Sequence, residues 1–264
     1  MDIEKEQIRK LIEQEHSFYF TTVLMSEHHK EQFHWIVDTI LAKYKKDKNY
    51  RIFIYAVVKE LIINGIKANS KSVYAEHFSQ KILSEDMKEK KIEFDKLKEI
   101  LSDSHPKHEQ FNKMVKEKNI KIKIFLSFSE MGILFVVINE NPLSYAQNLR
   151  VREKLSIAND FDSVLDFFRS DKVDNSEGEG LGFATIFSMM KQFGINNRYL
   201  IFHESLESVP IPDKPDDGTA VSFFIPFDPE IAKIHLTESY FGVERRKFDK
   251  NFWWDYIKKN SDIM

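Results

Sequence analysis

Glu60, Asn64 and Lys67 are spaced four and three residues apart in the stretch Arg51–Asn69, whose other positions are mostly apolar. At helical periodicity the three share one face, and Asn69 follows two residues later. A carboxylate, an amide and an ammonium on one face of an apolar helix need partners. Burying a neutral polar group without one costs about 2–7 kcal/mol. A cavity holding a divalent cation and phosphates would supply partners for all three. Asn64 offers a hard oxygen to Mg²⁺, Lys67 a charge to phosphate, and Glu60 a base for water or an acceptor hydroxyl. The alternative is that they line the solvent edge of the helix.

Three further segments bear polar chemistry. Gly178-Glu179-Gly180-Leu181-Gly182 immediately precedes an apolar helical stretch. Glycines there would turn the backbone sharply and present N–H groups to an anion, at a helix N-terminus whose dipole favours it. Asn139-Glu140-Asn141-Pro142 closes an apolar run and reads either as a group aimed into a pocket or as an ordinary Asn/Pro turn. Gly218-Thr219 heads the last apolar run.

The elements that would position these groups follow from periodicity. Asp2–Gln14 has the pattern of a short amphipathic helix, Phe18–Met25 of a strand, and Ser26 opens a helix running to about Lys45. Arg51–Asn69 is a largely buried helix and Ser72–Phe78 a short strand. Ser79–Lys118 is highly charged, with helical spacing at Ile92–Leu101 and a break at His105–Pro106, and reads as a solvated helical insertion. Ile120–Phe128 and Ile133–Asn139 form a hairpin through Ser129–Gly132. Leu143–Arg169 is helical, Ser170–Gly180 a polar loop and Leu181–Phe193 an apolar helix. Tyr199–His203 and Ala220–Pro226 are strands on either side of the turn region Pro210–Gly218. A tail, Asp228–Met264, ends in an aromatic helix around Phe248–Lys259. The expected class is α+β: a two-layer sandwich of one mixed sheet with helices on one face.

Composition narrows the chemistry. The chain has 264 residues, a formal net charge of −3 and no cysteine. Disulfides, thiolate zinc sites and a cysteine nucleophile are therefore excluded. No basic stripe marks a nucleic-acid surface. The charged N-terminus is neither a secretory signal nor a transit peptide, and no apolar run reaches the length of a bilayer span. A soluble, cytoplasmic protein is the expectation. His16, His28, His29 and His34 cluster in sequence, but nothing nearby completes a metal site.

Taken together and in this order, the four polar segments resemble the GHKL (Bergerat) superfamily of ATPases, the fold of sensor histidine kinases, anti-sigma-factor serine kinases and gyrase. Ala56–Asn69 looks like its N box, and Glu60, Asn64 and Lys67 match positions that serve as base, Mg²⁺ ligand and phosphate contact. Gly178–Gly182 looks like the glycine box at the hinge of the ATP lid, bringing Gly178, Gly180, Leu181 and Gly182 to the phosphates. Gly218–Pro226 is similar to the closing segment whose Thr, here Thr219, fixes adenine.

One box departs from the pattern. Where the family carries Asp-x-Gly-x-Gly, this chain has Asn139-Glu140-Asn141-Pro142-Leu143. Asn139 still offers a carbonyl to the adenine amine, but it is less strict toward the base than Asp. Loss of both glycines restricts the departure of the lid, which would span Leu143–Glu177 with Arg150, Arg152, Lys154 and Lys172 as phosphate candidates.

The resemblance covers about Phe18–Phe227, flanked by an N-terminal helix (1–17) and a tail (228–264). It implies ATP and Mg²⁺ as cofactors and transfer of the γ-phosphoryl group to a protein partner. That partner would be a response regulator, a sigma factor or an anti-sigma antagonist, and the chain itself could dimerise. The layout is closest to stand-alone anti-sigma serine kinases, because no phosphoaccepting helical hairpin precedes the N box. His108-Glu109-Gln110-Phe111-Asn112 matches an H-E-x-x-N pattern but lies after it. The altered box leaves a second reading, a nucleotide-binding switch with weak or absent catalysis. The tail residues Phe248, Phe252, Trp253, Trp254, Tyr256 and Ile257, behind Arg245, Arg246 and Lys247, would pack on the domain or dock a partner.

Overall fold

A computed structural model describes residues 2–24, 26–84, 86–102, 104–143, 145–161, 166, 181–196, 199–206, 209, 215 and 217–228. The glycine box through Gly180, Lys172 and the aromatic tail lie outside the described residues.

Short runs rich in β-branched and aromatic residues, buried nearly throughout in the central strands, build a five-stranded sheet from β1 (Phe18–Thr22), β2 (Ile122–Ser129), β3 (Gly132–Asn139), β4 (Leu200–His203) and β5 (Thr219–Pro226). The strand order is β1-β2-β3-β5-β4 and every pairing is antiparallel. The expected mixed sheet is thereby corrected. β5 inserts between β3 and β4 and opposes both, so no two described neighbours run parallel. The β2–β3 hairpin pairs Ser129 with Gly132, leaving a two-residue turn. Phe125, Leu126, Phe128, Phe135, Phe223 and Phe224 are all buried in the sheet.

Helices α1 (Asp2–Glu13), α2 (Glu27–Lys43) and α3 (Lys48–His77) precede the central strands, and α4 (Met87–Ile100) and α5 (His108–Lys118) follow α3. After β3 come α6 (Tyr145–Asn159) and α7 (Leu181–Gln192). Ser26 caps α2 by accepting from the His29 N–H, and Asp47 caps α3 by accepting from the Asn49 N–H at 2.6 Å. Phe33 of α2 meets Phe135 at 6.0 Å between ring centroids, and Phe53 of α3 meets Phe223 at 5.7 Å. Phe53 also stacks on Phe193 beyond α7, at 4.7 Å. These contacts place α2, α3 and the end of α7 on one face of the sheet.

α3 is longer than its pattern suggested. Ser72–Phe78, expected as a strand, is its last turns and C-cap. At 30 residues the helix runs about 45 Å, further than the sheet it crosses. Its N-terminal half buries Val57, Val58, Leu61 and Ile62 against the sheet, and its C-terminal half buries Val73, Tyr74 and Ala75 elsewhere. There they join Ile82, Phe94, Leu97, Ile100, Phe111 and Val115 in a second core.

The insertion 79–118 is therefore packed rather than merely solvated, because Ile82, Phe94, Leu97, Ile100, Phe111 and Val115 meet the far end of α3, while Leu83 and Ile92 stay exposed. One polar contact is buried with them. The Tyr74 hydroxyl donates to Glu93 at 2.8 Å, and Lys96 holds the other carboxylate oxygen at 2.7 Å. Burial and the Glu93 bond push the Tyr74 phenol up to about 12.

Candidate nucleotide site

Where α3 crosses the ends of β2, β3 and β5, the helices and sheet leave a cavity of about 490 Å³. The shared face of α3 contributes Leu61, Asn64, Lys67, Ala68 and Lys71. The sheet contributes Ile122, Val137, Asn139, Thr219 and Val221, all on the face toward the helices. α6 contributes Gln147, Arg150, Val151 and Lys154, and α7 contributes Gly182 and Phe183. The cavity is thus apolar toward the sheet, with cations from two helices around it. No carboxylate lines it among the described residues.

Of the residues expected to do chemistry, Asn64, Lys67, Asn139, Gly182 and Thr219 are brought to this one cavity. Glu60 is one turn before Asn64 and does not line it. Instead its carboxylate rests against the start of α7: a Cβ on Gly182 would stand 2.7 Å from Glu60 Oε2 and 3.4 Å from Asn64 Nδ2. Gly182 lets the first turn of α7 approach α3 without displacing either side chain. The start of α7 thereby meets the acidic and amide positions of α3. Leu181 begins α7; Gly178 and Gly180 lie outside the described residues.

On the sheet side of the cavity, Asn139 and Thr219 pair across β3 and β5, and Asn139 also pairs with Ile122 of β2. Asn139 and Thr219 are both buried. Gly218 has φ +140°, and a Cβ there would lie 2.4 Å from the Asn139 carbonyl oxygen, so only glycine admits the chain at this corner. Gly65 is pressed on β2 as well, since its Cβ would meet Ile122 Cδ1 at 2.9 Å. Glu140 turns away to Lys123, 3.1 Å distant, and accepts from the Lys121 N–H.

The structure also separates the candidate cations. Arg150 and Lys154 line the cavity, four residues apart on α6. Arg152, on another face of α6, is exposed and ion-pairs with Glu204. Asn69 is buried away from the cavity, its Nδ2 donating to the Ile120 carbonyl at 3.4 Å. His108 and Asn112 of the H-E-x-x-N run hydrogen-bond to each other at 2.8 Å across one helical turn.

Lys71 and the wall residues Ile82 and Leu83 were missed by sequence reasoning. Lys71 continues the Asn64–Lys67 face by one more turn, and the expected end of the helix at Asn69 hid that signal. It sits 4.5 Å over the ring of Phe94, a contact that ties the second core to the cavity wall.

Comparison with protein-family models, with curated proteins and with solved structures finds no match to this chain.

Proposed function

We propose that the chain binds a Mg²⁺–nucleoside triphosphate in this cavity and passes the γ-phosphoryl group to a protein partner, as the resemblance to histidine-kinase-like ATPases implies. The observation that carries the reading is that Asn64, Lys67, Arg150 and Lys154 line one cavity together with Asn139 and Thr219. Its volume falls in the range of small-molecule sites. Such an arrangement suits a ligand with a flat apolar part bearing a few polar groups and an anionic tail.

The residues fit the implied ion. Mg²⁺ would keep several waters and be held mainly by the phosphates, with the Asn64 amide oxygen as its protein contact in place of the more usual carboxylate. A Mg²⁺ ion held by Asn64 would supply charge neutralisation on the transferred group. Lys67, Lys71, Arg150 and Lys154 share the remaining phosphate charge, and the first turn of α7 offers backbone N–H groups. Phosphoryl transfer depends mostly on such positioning and neutralisation. In the kinase reading, Glu60 accepts the proton of the attacking hydroxyl or orients it. The acceptor belongs to a response regulator, a sigma factor or an anti-sigma antagonist.

The position of Glu60 also favours a second reading. Its carboxylate rests against Gly182 rather than on the cavity wall, so nucleotide occupancy would first be felt as a movement of α7. On that reading the chain is a nucleotide-dependent switch with slow turnover. Glu60→Gln separates the two. A kinase loses transfer or hydrolysis of γ-labelled nucleotide by on the order of a hundredfold while binding is retained. A switch shows little turnover in either protein and a changed partner affinity in the variant. Absence of nucleotide binding in wild type would remove both readings.

A further inference from the structure

We infer that the Asn139 corner of the cavity selects purines bearing a ring carbonyl where adenine bears its amine, namely hypoxanthine and guanine nucleotides. The inference rests on the nucleotide reading above and names the class of base.

Asn139 is 8% exposed and sits at the cavity end of β3, facing the helices. An amide side chain can present a donor or an acceptor, and here the backbone decides which. The Asn141 N–H donates to Asn139 Oδ1 at 3.2 Å. Turning the amide over would set an NH₂ against that N–H, two donors facing each other, so this orientation is fixed by the loop.

Nδ2 is then the free end of the group. It lies 4.0 Å from the position a Gly65 Cβ would take, and among the described residues no protein acceptor meets it. Asn139 therefore has an unpaired N–H donor at the cavity wall, while one lone pair of its oxygen is taken by the turn. Asn141 is at once a neighbour in the wall and the residue that imposes this polarity.

A carbonyl on the purine ring accepts from Nδ2. The adenine amine only donates, and opposite Nδ2 it leaves two donors unsatisfied in a buried place. No carboxylate lines the cavity among the described residues to receive that amine instead. A carboxylate at position 139 would reverse the preference, because it could accept from the Asn141 N–H and from the amine together. One exchange of oxygen for nitrogen thus sets which purine is favoured.

The test is titration of the full chain with the Mg²⁺ complexes of ITP, GTP and ATP, for wild type, Asn139→Asp and Asn139→Ala. ITP and ATP differ at the ring position in question. Wild type should bind ITP and GTP about tenfold tighter than ATP, the expected cost of leaving a buried donor unpaired. Asn139→Asp should favour ATP, and Asn139→Ala should bring ITP and ATP to similar affinity. ATP binding as tightly as ITP to wild type, or tighter, overturns the base assignment and leaves the nucleotide reading intact. Failure of all three to bind overturns both. Should either variant fold poorly in a thermal melt, the wild-type ratio alone decides.

Discussion

Gly218 and His203 carry sharply different expectations although both flank the same end of the sheet. Gly218 combines φ +140° with a Cβ position 2.4 Å from the Asn139 carbonyl, and that obstacle is backbone. Gly218→Ala should therefore lower stability by about 2–4 kcal/mol, measured by denaturant unfolding, and should disturb the Asn139 corner. The corresponding obstacle at Gly182 is the tip of a flexible Glu60 side chain, which can swing away. Alanine there should cost little stability.

His203 is buried on β4 with Nε2 2.8 Å from Ser222 Oγ, and burial pushes its imidazole down to about 4 from 6.5. Folding thus favours the neutral ring, whereas the unfolded chain takes up a proton below pH 6.5. The stabilisation is complete above pH 6.5 and is lost as pH falls toward 4, by roughly 3 kcal/mol for a shift of this size. His203→Gln should lack that slope, so the difference between the wild-type and variant stability–pH curves should fall as pH drops from 6.5 toward 4. Parallel curves would place His203 in contact with solvent.

At the scale of elements, α3 decides most of what was and was not legible. Its polar face of Glu60, Asn64 and Lys67 could be read because four- and three-residue spacing is a local signal. The hairpin of β2 and β3, the cap at Ser26 and the helical start at Leu181 were local too. What could not be read depends on residues far apart in sequence. Ser72–Phe78 has the β-branched and aromatic character of a strand, and it is the apolar residues of the insertion, Phe94, Leu97 and Phe111 among them, that bury it as a helix. The donor polarity of Asn139 hinges on a backbone N–H two residues on, and the separation of Arg150 from Arg152 on the angular position of α6. Glu60 was placed on the right face, but its contact with Gly182 needed the approach of α7. The second core is small, so truncating one of its rings should be felt locally. Phe111→Ala should cost about 3–5 kcal/mol and raise amide exchange first in α4, α5 and the last turns of α3. Uniform acceleration across the sheet as well would mean that the two cores unfold as one.

For the molecule as a whole, one antiparallel sheet and the helices on its face form the cavity, and α3 links that cavity to the second core through Lys71 on Phe94. No helix among the described residues is long and apolar enough to cross a membrane. The α+β class expected from the sequence is present, with an antiparallel sheet in place of a mixed one. The central claim is that Asn64 and its cationic neighbours form a site for a Mg²⁺-bound triphosphate. Calorimetric titration with ATP and ITP, each with and without Mg²⁺, for wild type and Asn64→Ala, tests it most directly. Mg²⁺ should tighten binding to wild type by about tenfold, equivalent to about 1.4 kcal/mol, and should leave the affinity of Asn64→Ala nearly unchanged. Absence of binding by either nucleotide, or an equal Mg²⁺ effect in both proteins, would contradict the account.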